Sequence, residues 1–252
     1  MISFNSMGRV GRLGNQMFQY AVLKGIAKNN NLDFCIPASL NQNEHTDHQL
    51  FGAFEMKDVK QDITQNLRFD ERFYHFDEDL FNNCPDNIDL YGYFQSYRYF
   101  DFIRDEILED FTFKHTDSFV IPEEDYTVIH ARRGDYVNQP QNYNPLGKDY
   151  YNQAKEIIGD SRFIVISDDI EWCKQQEFFN NCEFYSGQNN IEDLYVMSKA
   201  KNNIIANSSF SWWGAYLNKN SNKIVVSPEK WYNNNYSYLD IKDLRPKEWI
   251  LI

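Results

Sequence analysis

The chain contains no C-x-x-C pair. Its four cysteines, Cys35, Cys84, Cys173 and Cys182, are scattered along the sequence, which excludes the usual spacings of a zinc site. No apolar run approaches the roughly eighteen residues that a membrane helix requires, and the first residues do not resemble a secretion signal. A net positive charge is missing as well. A formal charge of −12 and a pI near 4.8 exclude a general nucleic-acid binder, which needs a broad basic face to neutralise phosphates. With 11 glycines there is still no G-x-G, so the dinucleotide fingerprint is excluded. These absences describe a soluble protein with reduced thiols, expected in the cytoplasm, with nothing to indicate membrane contact.

What the chain does have is aromatic side chains: 17 Tyr, 20 Phe and 5 Trp. Rings with polar tips suit a carbohydrate surface, although most are expected simply to pack. A length of 252 residues accommodates one large α/β domain or two of roughly 120 residues, and two are expected. Positive charge is concentrated at Arg9 with Arg12 and at Arg132 with Arg133, so an anion would be held locally.

Residues 2–4 suit a short first strand. The glycine-rich G-R-V-G-R-L-G-N-Q follows, and from Asn15 onward Met17, Phe18, Ala21 and Val22 fall at helical spacing. Strand, glycine loop and helix offer backbone N–H groups and a helix dipole to an anion, although a tight structural turn has the same composition. A second strand over 32–36 ends at Pro37. Residues 38–120 carry weaker signals, among them a short strand or turn near 90–94 and a short helix over 101–110. There Asp77-Glu78-Asp79 has the D-x-D form that can hold a divalent cation. Its flanks do not read as a strand end, and a solvated acidic face without metal is the preferred reading.

From Tyr126 the pattern becomes regular. Strand-like runs over 127–131, 162–167, 182–185, 203–206 and 223–227 alternate with helical patterns near 149–158, 169–178, 191–200 and 210–218. Repeated β-α alternation implies a parallel sheet with right-handed connections and helices on both faces. A domain boundary is therefore expected near residue 120. Residues 137–148, rich in Asn, Gln and Pro, form a loop suited to a lid or an acceptor contact, or simply to the surface.

Three polar stretches fall at the carboxyl ends of predicted strands in this half: H-A-R-R-G-D at 130–135, S-D-D at 167–169 and N-S-S-F-S-W-W-G at 207–214. In a doubly wound sheet they would surround one crevice. Arg132 and Arg133 suit a phosphate, Ser208 and Ser209 stand where a helix begins, and Asp168 or Asp169 could accept from a ribose or a base. Helix capping alone also explains a Ser or Asp at such positions. The convergence of arginines, serines and carboxylates on one sheet edge points to a nucleotide-type diphosphate without naming the nucleotide.

G-R-L-G-N-Q-M-F-Q-Y-A at 11–21, H-A-R-R-G-D-Y at 130–136, F-I-V-I-S-D-D-I-E-W-C at 163–173 and N-S-S-F-S-W-W-G-A-Y-L at 207–217 resemble, in order and spacing, the motifs of the α-1,2-fucosyltransferase family. The resemblance covers nearly the whole chain. It implies an α/β, GT-B-like architecture of two Rossmann-like domains with a donor cleft between them. Residues 1–120 would form the acceptor-side domain and 121–252 the GDP-fucose-binding domain, with the last ~20 residues packing back on the first. It also implies transfer of L-fucose from GDP-β-L-fucose to the 2-hydroxyl of a terminal galactose in an oligosaccharide, with inversion, no cofactor and no required metal.

Carried across by position, the resemblance makes Arg132 the arginine on the donor pyrophosphate, with His130 and Asp135 completing that motif. It places Asn15, beside Arg12 and Gly14, near the donor, and puts Asn207, Ser208, Ser209 and Phe210 in the third donor-side motif. Arg133 and Asp168 join them as substrate-binding candidates. His130 and Asp135 are the local candidates for the base that deprotonates the acceptor. The chain is shorter than the family's usual length, which leaves the acceptor open. Rival readings are a transferase for another GDP-sugar, a carbohydrate-binding module without turnover, and an adhesion role for Arg133-Gly134-Asp135; the last is disfavoured by its place at a strand end.

Overall fold

A computed structural model describes residues 1–38 and 48–252. The chain divides into two compact units, residues 1–114 with 239–246, and residues 115–238 with 247–252. Both are α/β, each built on one parallel sheet.

In the first unit the strand order is β2-β1-β4-β3, with β1 Ile2–Ser3, β2 Phe34–Cys35, β3 Leu67–Asp70 and β4 Ile88–Tyr91. The helix α1, Leu13–Asn29, follows β1. Almost every residue from Leu13 to Ala27 on it is buried, so it is a core helix rather than an amphipathic one. Tyr20 on α1 donates to Asp110 at 2.8 Å and Lys24 pairs with the same carboxylate at 2.5 Å, tying α1 to the helix Arg104–Asp110.

Gly25 marks where α1 runs against another stretch of backbone: a Cβ there would stand 2.0 Å from the Tyr99 carbonyl oxygen. Alanine normally gains about 1 kcal/mol over glycine in a helix. Here Gly25→Ala is expected to destabilise the first unit by about 1–3 kcal/mol, because backbone cannot swing aside as a side chain can. Gly52→Ala, whose added methyl meets nothing within 4 Å, is the control. Equal urea midpoints for the two variants would contradict this account.

The second unit carries the order β10-β9-β8-β5-β6-β7, all parallel. Its strands are β5 Thr127–Ala131, β6 Phe163–Ser167, β7 Glu183–Tyr185, β8 Asn202–Ile204, β9 Val225–Ser227 and β10 Ile250–Leu251. Every residue of β5 is buried, as expected of a strand covered on both faces. Ile129 and Ala131 pack with Val165 and Ile204 against Tyr151, Ala154 and Cys173 from the helices Lys148–Ile158 and Ile170–Lys174. Val128 faces the opposite way with Ile164 and Ile166, against Val196 and Met197 of the helix Asn190–Lys199.

From β5 the chain winds outward through β6 and β7, returns to β8 on the other side, and winds outward again through β9 to β10. The order therefore reverses between β5 and β8. In an open parallel sheet, such a reversal leaves a crevice at the carboxyl ends of the two strands.

Two strands carried little signal in the sequence. L-R-F-D of β3 lies on a sheet edge with most side chains exposed, so its apolar residues do not alternate toward a core. The two-residue β10 is exposed and is held by its pairing with β9.

Candidate functional site

The carboxyl end of β5 delivers Arg132 and Arg133 to the reversal point, because the chain turns there into the short helix Gly134–Val137. Arg132 is held from two sides. Its Nη2 pairs with Asp135 three residues on, and its Nη1 lies 2.9 Å from Asp168 Oδ2, just beyond the end of β6. Its Nε is buried without a partner. An arginine carries five N–H donors, so two engaged carboxylates fix the plane of the guanidinium and leave donors to spare. The other Asp168 oxygen accepts the backbone N–H of Arg133 at 2.8 Å. Asp168 thus brackets the arginine loop with one contact to each oxygen, a role beyond the one the sequence offered Asp168 or Asp169, as an acceptor from a ribose or a base.

Arg133 points elsewhere. Its guanidinium carbon lies 3.7 Å from the centre of the Trp172 ring, a cation–π contact that packs the loop on the helix Ile170–Lys174. Asp169 caps that helix by accepting from the Trp172 N–H at 3.2 Å. Asp135 stands in an ion pair with Arg132 through one of its two carboxylate oxygens.

His130 lies inside the sheet, 3 % exposed, with its ring 5.7 Å from that of Phe210 and Nδ1 unpartnered. Burial, helped by the positive charge of Arg132, lowers its pKa to about 3. An imidazole that weak as a base, and enclosed, is a poor proton acceptor for a substrate hydroxyl.

Beyond β8, Asn207 is almost wholly buried and acts as a hub. Its Nδ2 donates to the carbonyls of Asn144 at 3.1 Å and Trp231 at 2.8 Å, and its own carbonyl accepts from the Tyr136 hydroxyl at 3.0 Å. Tyr136 in turn stacks on Tyr143, with centroids 3.9 Å apart and planes within 6°. Asn207 therefore joins the end of β8 to the loop after the arginines. Ser208 caps the helix Ser209–Tyr216 through the Phe210 N–H at 3.3 Å; Ser209 and Phe210 follow, both partly exposed, in its first turn. The start of this helix and the Arg132 guanidinium are the anion-favouring features of this sheet edge.

In the first unit, G-R-L-G-N-Q-M-F-Q resolves into a glycine loop and the start of α1. Arg12 is the exposed residue before the helix and Gly14 is buried in its first turn. Asn15 and Gln19 share a face at i, i+4 spacing. Gln19 Nε2 donates to the carbonyls of Val10 at 3.1 Å and Gly92 at 3.0 Å, linking the glycine loop to the turn after β4. Asn15 Oδ1 accepts from Gln95 Nε2 at 2.7 Å, and Gln95 Oε1 accepts from Tyr74 at 2.7 Å. Nothing in the sequence marked Gln95, Tyr74 or Glu71, because their partners lie at the ends of strands distant in the chain.

In the D-x-D stretch Glu78 and Asp79 are exposed, as expected of a solvated face, but Asp77 is not. Asp77 is buried, receives Arg72 at 2.7 Å and caps the helix Glu78–Asn82 through the Leu80 N–H at 3.1 Å, while Asp79 also takes Arg72, at 3.0 Å. Among the described residues no group of three or more His, Cys, Asp or Glu is arranged to hold a metal ion. No helix among them is long and apolar enough to cross a membrane.

The family model for glycosyl transferase family 11 matches residues 2–252. The chain is 37 % identical over 201 residues to the O-antigen biosynthesis glycosyltransferase WbnK of Escherichia coli, covering 69 % of this chain and 65 % of that protein. It is 30 % identical to an alpha-1,2-colitosyltransferase of Escherichia coli, with 96 % of each covered, and 25 % identical to galactoside alpha-(1,2)-fucosyltransferase 2 of Pongo pygmaeus, covering 84 % and 68 %. Among solved structures it is similar to the fucosyltransferase NodZ from Bradyrhizobium, with a TM-score of 0.54 over 84 % of this chain and 91 % of that one at 11 % identity, a likeness of GT-B-like fold alone.

Proposed function

Because the chain belongs to glycosyl transferase family 11, we propose that it is an inverting α-1,2-fucosyltransferase that moves L-fucose from GDP-β-L-fucose to the 2-hydroxyl of a terminal galactose, without a metal. The observation that carries the donor side of this reading is Arg132, braced by Asp135 and Asp168 at the strand-order reversal of the second unit. The acceptor hydroxyl attacks the anomeric carbon, the bond from that carbon to the phosphate oxygen breaks, GDP leaves with the bonding pair, and the hydroxyl proton passes to water. Positive charge builds on the sugar ring and negative charge on the departing phosphate, as in glycoside cleavage. A braced guanidinium, with the start of the helix Ser209–Tyr216, meets that negative charge without reorganising, the task a divalent cation performs in other transferases. With His130 enclosed and Asp135 paired, the reading favours a strongly dissociative transition state that asks little of the base. Four thiols with no disulfide among them suit the cytoplasmic location in this reading.

The second reading is transfer of colitose, the 3-deoxy counterpart of L-fucose, and the relative covered over 96 % of both chains favours it. Incubating the enzyme with GDP-fucose or GDP-colitose, a panel of galactosides and a chelator, then determining the product linkage, tests both. An α-1,2-fucosyl product in the presence of chelator is expected. Turnover with GDP-colitose alone would replace the donor; release of GDP only with added divalent cation would overturn metal independence.

A further inference from the structure

At the carboxyl edge of the first sheet, three side chains form one hydrogen-bonded line. Tyr74 donates to Gln95 Oε1, and Gln95 Nε2 donates to Asn15 Oδ1, both at 2.7 Å. The line runs in one direction, from the Tyr74 hydroxyl through Gln95 to Asn15. A phenol donating to the Gln95 oxygen leaves only the Gln95 NH2 to face Asn15, and an NH2 must meet the Asn15 oxygen. The Asn15 amide is therefore oriented with Oδ1 inward, and its Nδ2 has no partner among the described residues. Asn15 is partly exposed, whereas Gln95 is buried behind it, 4 % exposed.

The turn that carries Gln95 is itself anchored. The two Glu71 oxygens accept the N–H groups of Tyr93 at 2.8 Å and Phe94 at 2.9 Å. Gly92, at φ +156°, lets that carboxylate approach: a Cβ there would lie 2.5 Å from Glu71 Cβ. Gln19 holds the Gly92 carbonyl from α1. The turn that carries Gln95 is thus held at Gly92, Tyr93 and Phe94.

We propose that Gln95, oriented by Tyr74 on a turn clamped by Glu71, is a positioning residue that locks the Asn15 amide so that its NH2 is presented as a hydrogen-bond donor to a substrate oxygen. The proposal rests on the transferase reading above for the identity of the substrate, and on the hydrogen-bond line alone for the orientation of Asn15.

Gln95→Glu is the discriminating variant, because a carboxylate keeps the shape and still accepts from Tyr74 yet has no proton to give Asn15 Oδ1. It would accept from the Asn15 NH2 instead and turn the amide over. Two measurements decide. The side-chain amide resonances of Asn15, assigned by their loss in Asn15→Ala, are expected to shift in Gln95→Glu; unchanged resonances overturn the proposal whatever the donor proves to be. In steady-state kinetics with GDP-fucose and a galactoside, Gln95→Glu is expected to lose at least about tenfold in kcat, as when a positioned donor is lost. In the Asn15→Ala background it should add less than about twofold, since a residue acting through another shows full coupling. Losses that multiply, or a Gln95→Glu enzyme with near-normal kcat, overturn the positioning role. A wild-type chain that transfers no sugar from any GDP-sugar refutes the transferase reading, and the amide spectrum still decides the orientation.

Discussion

Arg132→Lys and Arg132→Ala are each expected to lower kcat by at least about two orders of magnitude, the scale seen when one preorganised charge-stabilising donor is lost. The lysine variant is the informative one. It retains the charge but offers a single ammonium on a flexible stem, whereas the guanidinium plane is fixed by Asp135 at one end and Asp168 at the other. If charge alone sufficed, lysine would be nearly neutral. If a fixed fork is required, lysine fails almost as badly as alanine. Asp168→Asn separates the two contributions further, since it weakens the brace while leaving Arg132 in place. It should fall between wild type and Arg132→Lys, through kcat more than KM, because it loosens a geometry needed as the phosphate departs. A lysine variant with near-normal kcat in a coupled GDP-release assay would remove Arg132 from the centre of the donor site.

Legibility from sequence followed burial and sequence distance. β5 and β6 were readable because consecutive apolar residues lie in strands covered on both faces, and the arginines announce themselves where that run stops. The helices after β8 and β5 were readable from their spacing. What could not be read was partnership between distant residues. Nothing local marks the bond of Asp168 to an arginine loop 35 residues earlier. Asp77 looked like part of an acidic surface because the guanidinium that pairs with it as it is buried comes from Arg72, in a segment with no regular pattern. Gln95 is one polar residue among aromatics, and its meaning arises only when the turn after β4 is laid beside α1. Family motifs marked Asn15 and Asn207, and the structure supplies a physical account of why each holds its orientation.

His130 carries the other large expected effect, on stability rather than turnover. Its imidazole titrates at about 3 in the folded chain, against 6.5 when exposed, because burial and then the Arg132 charge disfavour the imidazolium. The unfolded chain therefore binds the proton more tightly. The contribution of neutral His130 to stability is complete above about pH 6.5 and is lost as pH falls toward 3, at up to about 1.4 kcal/mol per pH unit. Integrated over that range the loss is about 5 kcal/mol, comparable with the whole stability of many domains. His130→Leu removes the titration at small polar cost, since Nδ1 has no partner and the ring packs beside Phe210. Between pH 7 and pH 5 the wild type should lose about 2 kcal/mol more unfolding free energy than the leucine variant, measured by urea titration at each pH. Parallel curves would mean that water reaches the imidazole. The pH–rate profile of His130→Leu between pH 6 and 9 should keep the wild-type shape, because a group already neutral throughout that window contributes no inflection to it; a lost inflection would return His130 to the role of base.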